Sequence, residues 1–232
     1  MDFLDQLLHF STLDLSALVI LFVCWLGTGL IIEHAPDRNL SVSQLMARYR
    51  REWMAQMVMR DPRIFDSQTM SALRQGTSFF ASATMIAIGG GLALLGNPEQ
   101  LLGVASELSL GTTPHAVLDI KILVTLLFLA NAFLKFVWSH RLFGYCHIMM
   151  AAVPNDPNDP EAFPRAEQAA EINITAGRSY NRGLRSIYFA LAACAWLLGP
   201  VPLIAASLLT VSVMYRREFA SRSRQVLLRP KQ

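Results

Sequence analysis

Charged residues are scarce in this sequence, and the deficit excludes an ordinary soluble domain. Asp, Glu, Lys and Arg make up 16% of the 232 residues, against 53% for hydrophobic residues. The apolar residues are also clustered, and four stretches contain no charged side chain: 15–32, 77–96, 122–134 and 186–215. A bilayer core of about 30 Å is crossed by roughly 20 helical residues. The sequence therefore predicts an all-α, polytopic helical membrane protein with a single membrane domain over residues 1–232.

Cysteine is also rare, and its spacing excludes two classes of site. Cys24, Cys146 and Cys194 lie within or beside apolar runs at no motif spacing, so we expect neither a disulfide framework nor a metal site. Nucleophile–base, P-loop, Rossmann and haem-attachment spacings are missing too, which argues against an enzyme and predicts no cofactor. The N-terminus lacks the basic region and cleavage site of a secretory signal peptide. We therefore expect residues 15–32 to be retained as a span.

The stretch "AWLLGPVPLIAA" interrupts the longest apolar run, residues 184–215. A single helix of that length would measure about 48 Å, well beyond the thickness of the bilayer core. It would also carry Pro200 and Pro202 in its interior, at a cost of roughly 3 kcal/mol each. Two short helices avoid both problems, with Gly199 as a helix cap and Pro-Val-Pro as a tight turn. The sequence thus predicts a hairpin of two short spans.

The positions of lysine and arginine predict the orientation in the membrane. We expect five spans, at residues 15–32, 77–96, 117–138, 184–198 and 201–215. With the N-terminus outside, all but two of the 20 basic residues fall on the inside, as the positive-inside rule requires. The two exceptions, Lys121 and Lys135, lie in the third span. The outer segments carry acidic side chains instead: Asp2, Asp5, Glu99 and Glu107. The C-terminus is therefore predicted to lie inside, in the inner (plasma) membrane of a bacterium.

Two cytosolic elements are expected between the spans. Residues 41–60 form an amphipathic helix with an Arg-rich polar face, opened by Ser41 and Gln44 at capping-box spacing. This helix suits the membrane interface, either as a membrane-sensing or partner-binding element or as a simple connector. Residues 139–183 form a helical hairpin between spans three and four, with its tip at "NDPNDP". The return helix has a face of small residues, which lets another helix approach closely.

Several stretches together carry a resemblance to a known family. They are "EINITAGRSYNRGLRSIYFALAA", the "GPVP" break, "YRREF" near the C-terminus and "RRxW" in the first loop. The chain resembles the domain of unknown function 599 family of bacterial and plant membrane proteins from about Leu15 to Phe219. The resemblance implies a membrane protein without an assigned biochemical activity, and it carries no catalytic residue over to this chain.

Small and polar residues within the spans are candidates for function. In the second span Ala83, Ala87 and Gly91 lie four residues apart, the spacing that brings membrane helices close together. A weak point in a moving helix is the alternative. Polar residues in or near the third span predict a lining for an ion or an anionic substrate: Asp119, Lys121, Asn131 and Lys135. The alternative is that each lysine extends to its nearer interface, with Asp119 offsetting the outer one.

The cytosolic hairpin holds two further groups of polar side chains. His140 and His147, two turns apart, cannot share one metal ion. Each is free to bind a ligand, or to hydrogen-bond to Glu167, Glu171 or Asn173 on the return helix. The best candidate site is a polar cluster suited to an anionic lipid headgroup or a phosphate-bearing ligand. Its members are Arg178, Arg182, Arg185, Asn173, Asn181 and Glu171. Salt bridges within the hairpin are the structural alternative.

Three functions are compatible with these features. The first is a structural or accessory membrane protein that packs with itself, as a homo-oligomer, or with a larger membrane complex. The second is a small transporter or channel that uses the polar residues of span three. The third is a membrane protein that binds a lipid or phosphate ligand through the hairpin cluster. Membrane lipids are expected as partners in each case, and nucleic acid is not.

Overall fold

The structure is a computed structural model that describes residues 10–97 and 115–229. The acidic residues expected on the outside, Asp2, Asp5, Glu99 and Glu107, lie beyond these ranges. Within them every regular element is helical, which confirms the all-α prediction. The longer helices are α1 (Thr12–Glu33), α2 (Val42–Val58), α3 (Ile64–Leu95), α4 (His115–Ala151), α5 (Ala162–Cys194) and α6 (Pro200–Phe219), followed by the short α7 (Arg222–Leu227). Short 3₁₀ turns at Asp37–Asn39 and Ala195–Leu198 complete the described elements.

Side-chain caps define where the first two helices begin. Ser11 and Asp14 form a reciprocal capping box at the start of α1, and Ser41 and Gln44 form one at the start of α2. In the second box, Ser41 Oγ accepts from the Gln44 N–H at 3.2 Å, and Gln44 Oε1 accepts from the Ser41 N–H at 3.0 Å. Each box satisfies two backbone donors that the first helical turn leaves unpaired. The predicted cap at Ser41 is therefore confirmed.

Three of the described helices are long and apolar enough to cross a membrane: Thr12–Glu33, Ile64–Leu95 and Ala116–Ala151. Helix α4 has 37 residues and measures about 55 Å. A crossing of the bilayer core, about 30 Å, requires only part of that length, and Gly144 does not interrupt the helix. Helix α3, with 32 residues, is likewise longer than a membrane crossing requires.

The chain reverses direction at Gly199, so α5 and α6 are two helices and not one bent helix. Asn181 of α5 donates to Ser43 Oγ at 3.3 Å, and that same hydroxyl donates to Glu218 of α6 at 3.0 Å. The Arg217 guanidinium of α6 also donates to the Tyr188 hydroxyl of α5. These contacts pair residues at similar distances before and after Gly199. Helix α6 therefore returns along the second half of α5.

The predicted turn at Pro-Val-Pro is wrong in one detail. The turn consists of the 3₁₀ segment Ala195–Leu198 and of Gly199, whose φ of 125° and ψ of 174° are open to glycine almost alone. Pro200 and Pro202 lie instead in the first turn of α6. Proline is well tolerated there because the backbone N–H groups of a first turn have no helical partner to lose.

The small-residue face of α5 packs as expected against other helices. Helices α4 and α5 share the most extensive interface in the described structure. Small residues of α5 that include Ala169 and Ala176 are fully buried, and they share a core with Phe143 and Cys146 of α4 and Met54 of α2. A second core, around Trp196, joins α1, α4, α5 and α6. The first core fixes α5 against α2 and the second half of α4, and the second core fixes the helices around the turn at Gly199.

Candidate functional site

A cavity of about 400 Å³ lies where α1, α4 and α5 meet, at the end of the apolar part of α1. We call it the Glu33 cavity. Helix α1 contributes mostly apolar residues to its lining, and α4 and α5 contribute polar and basic ones. The lining residues are Trp25, Leu26, Gly29, Leu30, Glu33, Asn131, Lys135, Arg182, Arg185 and Ser186. The cavity thus has one apolar wall and one basic wall.

Glu33 holds the two arginines of the basic wall. Its carboxylate accepts from Arg182 Nε at 2.9 Å and 3.2 Å, and also from the Nη2 atoms of Arg182 and Arg185. The hydrogen bonds that Arg182 donates to the Glu33 carboxylate raise the pKa of Arg182, which stays charged at any physiological pH. The Arg185 side chain is only 8% exposed, against 47% for Arg182. Arg185 therefore anchors the pair inside the protein, whereas Arg182 is open to a ligand.

The helices that line the cavity contact each other closely at Gly29 and Ser186. A Cβ atom on Gly29 would lie 3.9 Å from Arg185 Nε and Nη2, an ordinary van der Waals distance, so α1 passes close to the guanidinium of α5. Ser186 is fully buried and accepts a hydrogen bond of 2.6 Å from Asn131 Nδ2. This bond fixes α4 to α5 beside the cavity. The positions of the polar groups are thus set by helix packing.

The lining carries an excess of positive charge. Lys135, Arg182 and Arg185 face a single carboxylate, that of Glu33. No ion pair joins Lys135 to a carboxylate of the residues that the structure describes. Arg182 Nη1 also makes no hydrogen bond within residues 10–97 and 115–229. Lys135 Nζ and Arg182 Nη1 are therefore donors available to an anion, and charge-assisted hydrogen bonds of this kind are strong.

The structure divides the cluster that the sequence predicted on the cytosolic hairpin. Arg182 and Arg185 line the Glu33 cavity, whereas Arg178 and Asn181 line a smaller cavity of about 230 Å³ between α2, α5 and α6. Glu171 forms an ion pair of 2.6 Å with Arg51. These residues share one helix but not one site.

Asn173 belongs to the interior of the hairpin. It is fully buried, accepts from the Arg50 guanidinium and donates to Cys146 Sγ at 3.5 Å. Arg50 also lies 5.9 Å from the centre of the Phe143 ring, a cation–π contact. Burial lowers the pKa of Arg50 below its ordinary value. Asn173 therefore accepts a hydrogen bond from a buried arginine of α2, a contact that differs from the salt bridges expected within the hairpin.

The polar residues of α4 are likewise separated. Asn131 and Lys135 line the Glu33 cavity, whereas Lys121 lies near the start of the helix with its Nζ 5.7 Å from the centre of the Trp196 ring. Trp196 Nε1 donates to Asp14 Oδ1 at 2.8 Å, and Asp14 interacts electrostatically with Lys121. Lys121 is buried in this cluster, and Asp119, two residues earlier in α4, is partly buried. The cluster joins α1, α4 and the 3₁₀ turn.

Of the three small residues proposed for helix packing, one packs within the chain. A Cβ atom on Gly91 would lie 2.5 Å from Leu126 Cδ2, so α3 and α4 approach closely there. Ala83 and Ala87 are exposed on α3. The described part of the chain therefore leaves both side chains uncovered.

Sequence reasoning missed several residues of the cavity. Glu33, Ser186 and Trp25 were not singled out, because each lies inside or at the end of an apolar run. The one available signal was Glu33, an acidic residue that directly ends an uncharged stretch next to an Arg-rich loop. Within the described ranges, no group of three or more His, Cys, Asp or Glu side chains is placed to hold a metal ion.

Comparison with known proteins identifies a family but no activity. A family model described as "Protein of unknown function, DUF599" matches residues 16–223, which is most of the chain. The match confirms the resemblance carried by the return helix, the "GPVP" break and the "YRREF" segment. No curated protein and no solved structure matches the chain.

Proposed function

The chain belongs to the DUF599 family of proteins of unknown function, and from that premise we propose that it binds an anionic phospholipid in the Glu33 cavity. The observation that carries the proposal is the amphipathic lining. Leu26 and Leu30 are 57% and 62% exposed on the outer surface of α1, and they border the cavity. A phospholipid has the same division, with apolar chains for this wall and a charged headgroup for the basic one.

The basic wall is suited to a headgroup phosphate. Lys135 Nζ and Arg182 Nη1 are the donors that Glu33 leaves available, and both belong to side chains at the edge of the apolar region. A phosphodiester carries one negative charge, which the excess of basic residues over the Glu33 carboxylate accommodates. Arg185 remains paired with Glu33 and holds the wall in place.

The proposal includes the topology expected from the sequence: five spans, the N-terminus outside and the C-terminus inside. Two observations support it. Helix α6 returns along α5, as a hairpin of two spans requires, and the basic residues concentrate on one side of the predicted spans. Under this topology the Glu33 cavity lies at the cytoplasmic leaflet of a bacterial inner membrane, where an anionic surface attracts basic segments.

The test is native mass spectrometry of the full chain purified in mild detergent, with phosphatidylglycerol and phosphatidylcholine as probes. We expect wild type to retain phosphatidylglycerol in preference to phosphatidylcholine. The double variant Lys135→Gln, Arg182→Gln should lose that preference, since both available donors are removed. Glu33 stays paired with Arg185 in this variant, so the fold is preserved.

A control variant and a folding measurement show whether a loss of lipid binding is specific to the cavity. The control variant Arg38→Gln, Arg216→Gln removes the same charge from two exposed arginines outside the cavity, and it should behave as wild type. Retention of phosphatidylglycerol by the cavity variant to the same degree as by the control would refute the proposal. Thermal unfolding of both variants shows whether either has lost its fold.

A second role, as a helix-packing component of an oligomer or larger complex, is proposed from α3. Only 6% of the apolar window of this helix is buried within the chain. Ala83 and Ala87 are exposed, and Gly89 and Gly90 have no neighbouring atom within 4 Å of where a Cβ would lie. Small exposed residues allow a second helix to approach closely.

Disulfide crosslinking in membranes tests this role. Ala87→Cys in a cysteine-free background should give a covalent dimer if two copies pack through this face. Ile86→Cys, at an adjacent and more exposed position on another face of α3, is the control. Monomer alone from Ala87→Cys, or equal crosslinking at both positions, would exclude a specific contact between copies.

A further inference from the structure

A second basic cavity, of about 480 Å³, lies between α3 and α4 and shares no lining residue with the Glu33 cavity. We call it the Arg74 cavity. Its polar lining consists of two arginines, two histidines and one tyrosine: Arg74, Arg141, His140, His147 and Tyr145. No carboxylate belongs to the lining. A cavity of this size and composition has the dimensions of a ligand site and the chemistry of an anion site.

The Arg74 guanidinium has no partner in the part of the chain that the structure describes. Its Nε is buried and makes no hydrogen bond, and no ion pair links it to a described carboxylate. Buried polar groups are normally hydrogen-bonded, so an unsatisfied donor in a native site calls for an explanation. An anion in the cavity supplies one, because a guanidinium offers a fork of donors to its oxygen atoms.

The two histidines are held by helix α3 and line the same space. His140 Nδ1 lies 3.3 Å from the carbonyl oxygen of Arg74, which can only accept, so Nδ1 carries the proton. His147 Nε2 lies 3.1 Å from Ser67 Oγ. Both contacts differ from the expected ones with Glu167, Glu171 or Asn173 on the return helix. One nitrogen of each ring makes the contact that fixes the orientation of the ring. The other nitrogens, His140 Nε2 and His147 Nδ1, take no part in these two contacts.

The cavity lies just past the predicted inner ends of two spans. Arg74 precedes the second span by three residues, and His140 follows the third by two. This level is accessible both to the phosphate of a lipid headgroup and to a soluble phosphate compound from the cytosol. The basic cluster is therefore placed where either kind of ligand arrives.

We propose that the Arg74 cavity binds a phosphomonoester group through Arg74, His140 and His147. A phosphomonoester carries a charge near −2 at neutral pH. The Arg74 guanidinium donates to its oxygens from α3. His140 and His147 donate from α4 as imidazolium rings, the form in which both nitrogens carry a proton and which a nearby dianion favours. The source of the phosphomonoester is either a lipid headgroup or a soluble phosphate compound, and the ligand chemistry is the same in both cases. The site is independent of the phospholipid site at Glu33.

Two arms of one experiment distinguish the sources. Isothermal titration calorimetry of the purified full chain uses glycerol 3-phosphate, and native mass spectrometry counts bound phosphatidic acid. Wild type should bind a probe in at least one arm. Arg74→Gln should bind that probe about tenfold more weakly or lose one bound phosphatidic acid, as expected for the loss of a charge-assisted contact. Arg222→Gln, an exposed arginine outside both cavities, should match wild type.

A second variant removes space instead of charge. A Cβ on Gly144 would lie 3.9 Å from Arg74 Nη2, so the helix surface tolerates a side chain there. Gly144→Leu keeps every basic group and fills the cavity, so it too should abolish binding while thermal unfolding stays at or above the wild-type temperature. Absence of binding in both arms, or unchanged binding by Arg74→Gln and Gly144→Leu, would overturn the proposal. Variants at Lys135 and Arg182 should leave this site unaffected.

Discussion

Glu33 is the residue on which the basic wall of the Glu33 cavity depends. It is the one carboxylate in a lining with three cations, and it contacts Arg182 and the nearly buried Arg185. Its carboxylate accepts from Nε and Nη2 of Arg182 and from Nη2 of Arg185, and it leaves Lys135 Nζ and Arg182 Nη1 to an anionic headgroup. Glu33 therefore has two opposing effects: it stabilises the empty protein, and it reduces the positive charge offered to a ligand.

Replacing Glu33 with glutamine separates these two effects. Glu33→Gln leaves Arg185 without a counter-charge, and breaking a buried ion pair costs roughly 3–5 kcal/mol, less where a partner is solvent-exposed. The variant should unfold at a lower temperature in neutral detergent, and phosphatidylglycerol should restore more stability to it than to wild type. Thermal unfolding with and without the lipid measures both. A loss of stability that the lipid does not restore would contradict the proposed site.

Gly183 tests the close packing of α5 on α4. A Cβ atom at this position would lie 2.7 Å from Phe136 Cε1, and Phe136 is itself fully buried and stacked on Phe80. Overpacking costs roughly 1–3 kcal/mol, which exceeds the gain of about 1 kcal/mol from placing alanine in a helix. Gly183→Ala should therefore lower the unfolding temperature. Gly89→Ala, with open space around it, should not, and equal effects would show that the packing is looser than described.

At the level of helices, the turn between α5 and α6 depends on one residue more than on its neighbours. Gly199 adopts a φ of 125°, a conformation that costs other residues about 1–3 kcal/mol. Gly199→Ala should be destabilised by about that amount. Pro200→Ala should change stability little, because the first position of a helix has no N–H bond to gain. The unfolding temperatures of the two variants test this. A larger decrease for Pro200→Ala than for Gly199→Ala would show that the turn depends on Pro-Val-Pro.

How far the sequence predicts these elements depends on the kind of signal each one leaves. The Ser41–Gln44 box is a local pattern, and it marks the start of α2 correctly. Uncharged runs are local patterns too and fall on helices, but they do not give the helix ends, since α3 begins at Ile64, before the run 77–96. The proline pair indicated a break but not its form, because proline is compatible both with a turn and with a first helical turn. The hairpin cluster was predicted from one helix alone. Its residues lie in different sites because they contact residues of other helices. Glu171 pairs with Arg51, Asn173 with Arg50, and Arg182 with Glu33.

The residues of the two cavities also could not be grouped from the sequence alone. Arg182 and Lys135 were each singled out for their charge, in two separate hypotheses, and the structure brings them into one cavity. Glu33, Ser186 and Arg74 were missed because their roles arise only from contacts between residues at least 55 positions apart or from an unpaired donor. A sequence pattern records periodicity along one helix, and it does not record which face meets which neighbour.

For the whole molecule, the proposed orientation in the membrane depends on whether the hairpin at Gly199 consists of two spans. If α5 and α6 cross as two spans, the basic C-terminal segment lies inside with the other arginines. Alkaline phosphatase fused after Gly199 should be active outside the cell membrane, and the same enzyme fused to the C-terminus should be inactive. A fluorescent protein at the C-terminus should be bright. Phosphatase activity at the C-terminus would contradict the five-span topology.

The central claim, that the Glu33 cavity binds an anionic phospholipid, is tested most directly by photo-crosslinking in the native membrane. Benzoylphenylalanine replaces Leu30 at the cavity wall, and it replaces Tyr215, which is 51% exposed at the end of α6, as the control. Mass spectrometry identifies the lipids attached at each position. The account predicts that adducts at Leu30 are enriched in anionic phospholipid relative to adducts at Tyr215. The same lipid composition at both positions would contradict it.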